Sequence, residues 1–290
     1  MRIFVAGATG VVGRLLVPLL VASGHQVTGM SRSAGGAERV RRQGASAVRG
    51  DVLDRAGLRA AVLAAAPDAI VHQLTDLAGA DGEATNRLRV DGTRNLVDAA
   101  RAAGTDRIVI QSVGFGYAPG EKPADETDPL DVDAEQPRRG LVDGVVAMEA
   151  TASELDTAVL LRFGILYGPG TWYAPGGAAA AVLSGRVDTP FIGSVVPDGS
   201  VTSFVHVADA ARATLDALGW PGGAVNIADD DPAEGREWVP VLAAALGVPA
   251  PEPTSGRLEW ARGVSNSLAR SRGWELSYPT WHTGFANQMS

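Results

Sequence analysis

The sequence predicts an α/β fold, a doubly wound parallel sheet with a small C-terminal lobe. Three observations predict it. First, a short apolar run, Ile3-Phe4-Val5-Ala6, leads directly into the glycine turn Gly7-Ala8-Thr9-Gly10-Val11-Val12-Gly13. Second, strand and helix patterns alternate across the first two-thirds of the chain, as parallel strands joined by crossover helices require. Third, beyond Tyr167-Gly168-Pro169-Gly170 short segments alternate with Gly/Pro clusters. That suits a smaller lobe at the carboxyl ends of the strands, where open α/β sheets bind ligands. The expected division is residues 1–170, with returning segments at about 200–230, and 171–290 as mainly the smaller lobe.

The elements follow in order. After the glycine turn, Leu15, Leu16, Leu19 and Leu20 give a helical apolar pattern. Pro18 interrupts it, and a kink or a wide turn is expected there. Gln26-Val27-Thr28-Gly29-Met30 reads as the second strand, and Ala47-Val48-Arg49 ends the third. Asp54 is placed to cap the helix that contains Leu58, Ala61, Val62 and Ala65. Ala69-Ile70-Val71-His72 is the fourth strand. Residues 83–103 carry Leu88, Leu96, Val97 and Ala100 on one helical face. Arg107-Ile108-Val109-Ile110 is a continuous apolar run suited to a buried parallel strand. Residues 119–137, rich in proline and acid, read as an exposed loop. A helix is expected from about 138 to 154, a sixth strand at Ala158-Val159-Leu160-Leu161, and later helices at about 207–219 and 235–246.

Composition narrows the function classes. The chain has 290 residues, 46% of them apolar, enough for a sizeable core. It has no cysteine, which excludes disulfides, thiolate catalysis and Cys-ligated metal, and fits a reducing cytoplasm. The formal charge of -8, without a basic block, disfavours nucleic acid. No apolar run reaches the length of a membrane span, and the N-terminal run lacks the layout of a signal peptide. His25, His72, His206 and His282 are scattered without ligand spacing. Asp125, Glu126, Asp128 and Asp131 match no Ca²⁺ loop and read as a solvated loop, so no metal is expected.

The glycine turn points to a dinucleotide. In a strand, turn, helix context Gly7 permits the tight turn, Gly10 lets the backbone approach a pyrophosphate, and Gly13 lets the helix pack close. Thr9, Val11 and Val12 complete a loop whose helix N-terminus offers N–H groups and a positive dipole end to phosphates. The expected architecture is therefore of Rossmann type.

Over nearly its whole length the chain resembles the extended short-chain dehydrogenase/reductases, the group with epimerases and dehydratases of the NAD-dependent kind. Beyond the glycine turn the resemblance is carried by Gly50-Asp51-Val52-Leu53-Asp54, Val90-Asp91-Gly92-Thr93-Arg94-Asn95-Leu96 and Leu161-Arg162-Phe163-Gly164-Ile165-Leu166-Tyr167-Gly168-Pro169. It continues through Ser203-Phe204-Val205-His206-Val207-Ala208-Asp209, then Ser265-Asn266 and Gly273-Trp274. The resemblance implies a Tyr-x-x-x-Lys pair on the helix after the fifth strand, with a Glu four residues beyond the Lys. With Glu149 as that Glu, Leu141 and Val145 occupy the two positions. Neither supplies a phenol with its pKa lowered by a nearby ammonium. Val113 stands where a carbonyl-polarising Ser/Thr is implied, and Arg89 where an Asn is implied. The resemblance is thus to an atypical member that lacks the usual pair. Thr202 replaces the Arg that in sugar-nucleotide enzymes meets a pyrophosphate, which disfavours a nucleotide sugar.

The cofactor expected is NADP, with NAD as the variant. After the second strand the chain reads Met30-Ser31-Arg32-Ser33, with no carboxylate before Glu38. Arg32 is read as a 2′-phosphate ligand with Ser31 or Ser33 adding a hydroxyl, against the alternative of a solvated surface arginine. By resemblance, Asp51 meets the adenine amino group and Val52 the ring. Leu74, Thr75, Gln111 and Ser112 line the nicotinamide side, and Phe163, Gly164 and Ile165 approach the carboxamide. Candidate acid/base groups are Tyr117 and Tyr167, each with packing as the alternative, and Ser112. Trp172 and Tyr173 could cover an apolar substrate or form a lobe contact.

The function expected is an NADP-dependent oxidoreductase or epimerase-like enzyme. Its substrate is a small, largely apolar metabolite bearing a carbonyl or hydroxyl, and its further partner at most a second copy in a homodimer. The alternative is a non-redox dinucleotide-binding protein on the same fold, an isomerase- or cyclase-like enzyme or a sensor that binds a partner.

Overall fold

The computed structural model describes residues 1–75, 82–186 and 195–287. The chain begins β1 (Arg2–Ala6), α1 (Gly13–Ala22), β2 (Gln26–Ser31), α2 (Ala34–Arg42), β3 (Ser46–Arg49), α3 (Arg55–Ala65) and β4 (Ala69–His72). There follow α4 (Gly82–Arg87), a π-helical turn (Leu88–Gly92), α5 (Thr93–Ala103), β5 (Arg107–Val113), α6 (Arg138–Ala152) and β6 (Thr157–Phe163). The later part holds β7 (Ile165–Tyr167), α7 (Ala178–Leu183), β8 (Val201–Thr202), β9 (Phe204–His206), α8 (Val207–Asp216) and β10 (Gly223–Ile227). It ends with β11 (Ala233–Glu234), α9 (Gly235–Ala245), α10 (Ser267–Ser271) and α11 (Trp281–Asn287).

The central sheet is seven-stranded, in the order β10-β6-β5-β4-β1-β2-β3. β1 pairs in parallel with β2 and with β4, in the registers Ile3↔Val27 and Ile3↔Ala69. The chain winds outward from β1 through β2 to β3, then returns to lay β4 on the other side. That reversal makes the carboxyl ends of β1 and β4 the switch point, where such sheets bind ligands.

Pro18 does not open a turn. Helix α1 runs through it from Gly13 to Ala22. A proline leaves the carbonyl four residues earlier without its N–H partner. Here the Gln43 side-chain amide donates to the Arg14 carbonyl at 2.8 Å and takes that place. The long helix expected over 83–103 is likewise interrupted by the π-turn. Asp54 does cap α3, accepting the Gly57 N–H at 3.1 Å.

The chain forms two compact units. The first comprises residues 1–112, 132–161 and 211–224. Its core is aliphatic, with Phe4, Leu58, Val62, Ile70, Leu96, Val97, Ile108 and Ile110 among the buried members. The second comprises 113–131, 162–210 and 225–290, so residues 162–170 group with the later chain. In it β7 pairs in parallel with β9, and β8 pairs antiparallel with β11. Its core is aromatic: Tyr167, Tyr173, Phe204, Trp238, Trp281 and Phe285 are all buried. Tyr173 belongs to this core, with its ring 5.8 Å from Phe204 and 6.1 Å from Trp238.

The acidic segment is not simply solvated. Glu126 accepts the Asn226 N–H at 2.7 Å. Asp128 pairs with Arg262 at 3.3 Å. Asp131 is buried. The cause is that 113–131 packs within the second unit, where Ala124, Tyr117 and Val264 share a small core.

Candidate functional site

The glycine turn is fixed by close approach. Gly7 has φ +92°, and a Cβ there would lie 2.5 Å from the Gln73 carbonyl oxygen, just beyond β4. Any side chain at Gly7 would push β1 and β4 apart at the switch point. A Cβ at Gly13 would overlap the Gly7 carbonyl, so only glycine lets α1 begin this close to the turn. The Gly10 N–H donates to the Gly7 carbonyl at 3.1 Å, and Gly10 is exposed. Val12, the N-cap of α1, makes no side-chain cap hydrogen bond, so its own side chain does not satisfy the N–H groups of that helix start. Thr9 and Val11 are half-buried at the rim. This cradle fits a pyrophosphate.

The end of β2 forms a second feature. A cavity of about 330 Å³ is lined by Arg32, Arg49, Gly50 and Asp51. The sequence reading missed Arg49. Its signal was the strand register, since Ser31 pairs with Arg49 across β2 and β3. Asp51 Oδ1 accepts the Leu53 N–H at 3.0 Å, which fixes the turn. Ser33 is spent in part as the N-cap of α2, accepting the Gly36 N–H at 3.0 Å. Ser31 is buried and bonds Ser33. Val52 is 2% exposed and belongs to the aliphatic core, so its side chain offers little surface to a ring.

On the expected nicotinamide side, Leu74 packs partly on the first core and Thr75 is half-buried. Gln111 is half-buried near the end of β5. Ser112 is buried, and its hydroxyl donates to Glu149 Oε1 at 2.6 Å, so its proton is already committed. The sequence marked Glu149 only as a register position, and its pairing with Ser112 was not foreseen. Phe163, Gly164 and Ile165 lie in the second unit. The Gly164 N–H donates to the Ile227 carbonyl, and a Cβ on Gly164 would lie 2.7 Å from the Ser203 carbonyl oxygen.

Helix α6 reads RRGLVDGVVAMEATA and carries neither tyrosine nor lysine. The chain's lone lysine, Lys122, lies in the second unit. The tyrosine candidates also belong to that unit. Tyr117 is buried, its hydroxyl donates to Asn226 Oδ1 at 2.7 Å, and Arg162 lies 4.8 Å from its ring centroid. Burial raises its pKa. Tyr167 is fully buried, and its hydroxyl has no partner among the described residues. Burial, then Asp229 and Asp209, push its pKa up. His206 stacks on Tyr278 at 3.7 Å, and burial lowers its pKa to about 4. Among the described residues no group of three or more His, Asp or Glu could hold a metal ion. Among them, too, no helix is long and apolar enough to cross a membrane.

A doubly wound sheet with this turn at its switch point defines a dinucleotide-binding α/β enzyme. Residues 3–228 match the NAD dependent epimerase/dehydratase family, and the chain belongs to that family. Its class is that of NAD(P)-dependent oxidoreductases and epimerases. A "3-diazoavenalumate denitrifying reductase" of a Streptomyces species is 40% identical over 313 aligned positions, 99% of this chain and 100% of that protein. A farnesyl-dihydroquinoline-oxide ketoreductase of Stigmatella aurantiaca is 30% identical, over 86% of this chain and 75% of that one. The solved UDP-glucose 4-epimerase of Thermus thermophilus, in complex with NAD, superposes with a TM-score of 0.77. It covers 100% of this chain and 98% of that one at 24% identity, a likeness of fold.

Proposed function

We propose that this chain is an NADP(H)-dependent reductase of a small, largely apolar electrophile, and not a nucleotide-sugar enzyme. The observation that carries the cofactor choice is the cavity lined by Arg32, Arg49, Gly50 and Asp51. Two guanidiniums there suit a 2′-phosphate, and no carboxylate precedes Glu38 to hold a ribose hydroxyl instead. Ser33 keeps a hydroxyl proton to donate, because its cap role uses only a lone pair. Asp51 would meet the adenine amino group, and the turn from Gly7 to Gly13 would hold the pyrophosphate. Within the first unit, Leu74, Thr75 and Gln111 would line the nicotinamide side. The dinucleotide, when bound, supplies the hydride.

Reducing a carbonyl also needs a proton for the new alkoxide. Helix α6 has no tyrosine or lysine to give it. The remaining donors are Tyr117, Tyr167, Ser112 and water. That same absence, with the Streptomyces relative named for a diazo substrate, favours a second reading of the acceptor. An arenediazonium takes the hydride at its terminal nitrogen to give an aryl diazene. The diazene loses N₂ as its hydrogen passes to the ring carbon. The sum is ArN₂⁺ + H⁻ → ArH + N₂, which draws no net proton from the protein.

The test is NADPH consumption, followed by absorbance, across a panel of ketones and arenediazonium salts, beside titrations of NADPH and NADH. Turnover of ketones or diazonium salts, with tighter NADPH binding, is expected. Epimerisation of UDP-glucose would overturn the substrate class. Tight binding without turnover of any electrophile would favour a non-redox role.

A further inference from the structure

Helix α6 lacks a cation of the expected kind, but a neighbouring element of the same unit brings one to it. Over Leu88–Gly92 the chain leaves the α-helical repeat for a π-helical turn. Such turns recur at functional sites. Arg89 lies within this one and is 8% exposed. Burial lowers its pKa to about 10, with no offsetting charge among the described residues. A buried guanidinium is costly unless an anion or several acceptors meet it. Among the described residues Arg89 has one acceptor: Nη1 donates to Asn86 Oδ1 at 2.9 Å. Its Nε–Nη2 edge has no acceptor among the described residues.

Asn86 is itself seated on α6. Its Nδ2 donates to the Gly140 carbonyl at 2.7 Å. A Cβ at Gly144 would lie 2.5 Å from its Oδ1, so glycine there makes room for it. Gly140 and Gly144 directly precede Leu141 and Val145, the positions of the absent tyrosine and lysine. Arg89 is thus held on α6 beside those positions.

We propose that Arg89 sets substrate choice by pairing with a carboxylate on the substrate, an inference that rests on the reductase reading above. The remaining Nε–Nη2 edge has the two-pronged geometry a carboxylate takes. The charge also decides. One buried guanidinium balances a monoanion. A phosphate dianion would need a second cation, and the neighbouring Arg87 is exposed and turned to Asp91 at 3.7 Å. The substrate class is then a small, largely apolar carboxylic acid.

The test uses the NADP⁺-loaded protein, titrated calorimetrically with cinnamate and with cinnamyl alcohol, its neutral counterpart. Cinnamate should bind at least tenfold more tightly than the alcohol. Arg89→Met should erase that preference, Arg89→Lys should keep part of it, and all three proteins should bind NADP⁺ alike. Circular dichroism checks that the variants fold. The inference falls if the wild type shows no preference for the acid, or if Arg89→Met keeps it. It falls too if Arg89→Met loses NADP⁺, which would make Arg89 a cofactor residue. A wild type that fails to bind NADP⁺ counts against the reductase reading instead, and titrating the unloaded protein with the same pair then tests Arg89 by itself.

Discussion

The first unit is built on aliphatic side chains from regularly spaced strands and helices, with Phe4 its aromatic core member. The second is built on six large aromatics, held by side chains that bond to backbone. Asp209 there accepts the N–H groups of Ser277 and Tyr278, both at 2.9 Å. Asn226 ties Tyr117 to the Ala124 carbonyl. The contrast teaches where function and stability are exposed to change. In the first unit the sheet sets the backbone and leaves a bare turn for a ligand. In the second, the hydroxyls that look reactive in the sequence are buried, Tyr167 among rings and Tyr117 in a small aliphatic cluster under Arg162, where each polar atom affects stability directly.

The largest expected effect separates the two roles. Gly10→Val should abolish dinucleotide binding and leave the fold intact. A Cβ at Gly10 would lie 3.3 Å from the Gly7 oxygen, tight but tolerable, whereas the rest of a valine would stand where the backbone faces a pyrophosphate. A cofactor titration beside circular dichroism checks it. Undiminished binding by a folded variant would mean that the turn is only a turn.

Legibility in the sequence follows the same contrast. The parallel strands around β1 could be read because aliphatic runs and glycine punctuation are local signals. The Pro18 misfit could be seen, but not its remedy, since Gln43 comes from another helix. Arg32 was visible at the end of β2, while Arg49 became its neighbour only through strand register. The acidic run 125–131 reads as solvent-facing by composition, yet Glu126 serves the distant Asn226. Burial by far parts of the chain leaves no local periodicity.

Next in size are the two tyrosines. If either gives the proton, its change to Phe should lower kcat about a hundredfold with cofactor affinity unchanged. The two should also differ in stability. Tyr117→Phe strips Asn226 of a buried donor and should destabilise by ~1–2 kcal/mol. Tyr167→Phe removes a buried hydroxyl without a partner among the described residues, and should be neutral or stabilising. Urea melts of both, with steady-state kinetics on an identified substrate, decide. Full activity in both would assign the proton to Ser112 or water, or to a reaction that needs none.

A smaller effect is expected at the cofactor's edge. Arg32→Ala should weaken NADP⁺ binding tenfold or more, the loss of a charge-assisted contact of roughly 1.5–3 kcal/mol. NAD⁺ affinity should be unchanged. Arg49→Ala should act in the same direction, because the two line one cavity. Equal affinities for the two cofactors in the wild type would refute the NADP preference.

The smallest effect is one of pH, and it probes the second unit alone. Asp229 follows β10 and is 1% exposed. Oδ1 accepts the Asp231 N–H, while Oδ2 has no partner among the described residues. Burial, the leading cause, raises its pKa from 3.8 to about 8. Below about pH 4 the carboxyl is protonated in both folded and unfolded chains, so it leaves stability unchanged. Between there and about 8 the unfolded chain is ionised while the folded one holds its proton, so stability falls as pH rises. Above 8 the penalty is complete. Asp229→Asn keeps the shape and removes the titration. It should therefore match the wild type near pH 4 and exceed it by a margin that grows as the pH rises to about 8 and then levels off. His72, in the first unit, works in the opposite direction: burial lowers its pKa to about 4, so its contribution is lost as pH falls from about 6.5. Urea melts of the wild type and Asp229→Asn across this range should thus diverge on the alkaline side and converge on the acid side. A constant offset at every pH would show that Asp229 acts through packing, not through its charge.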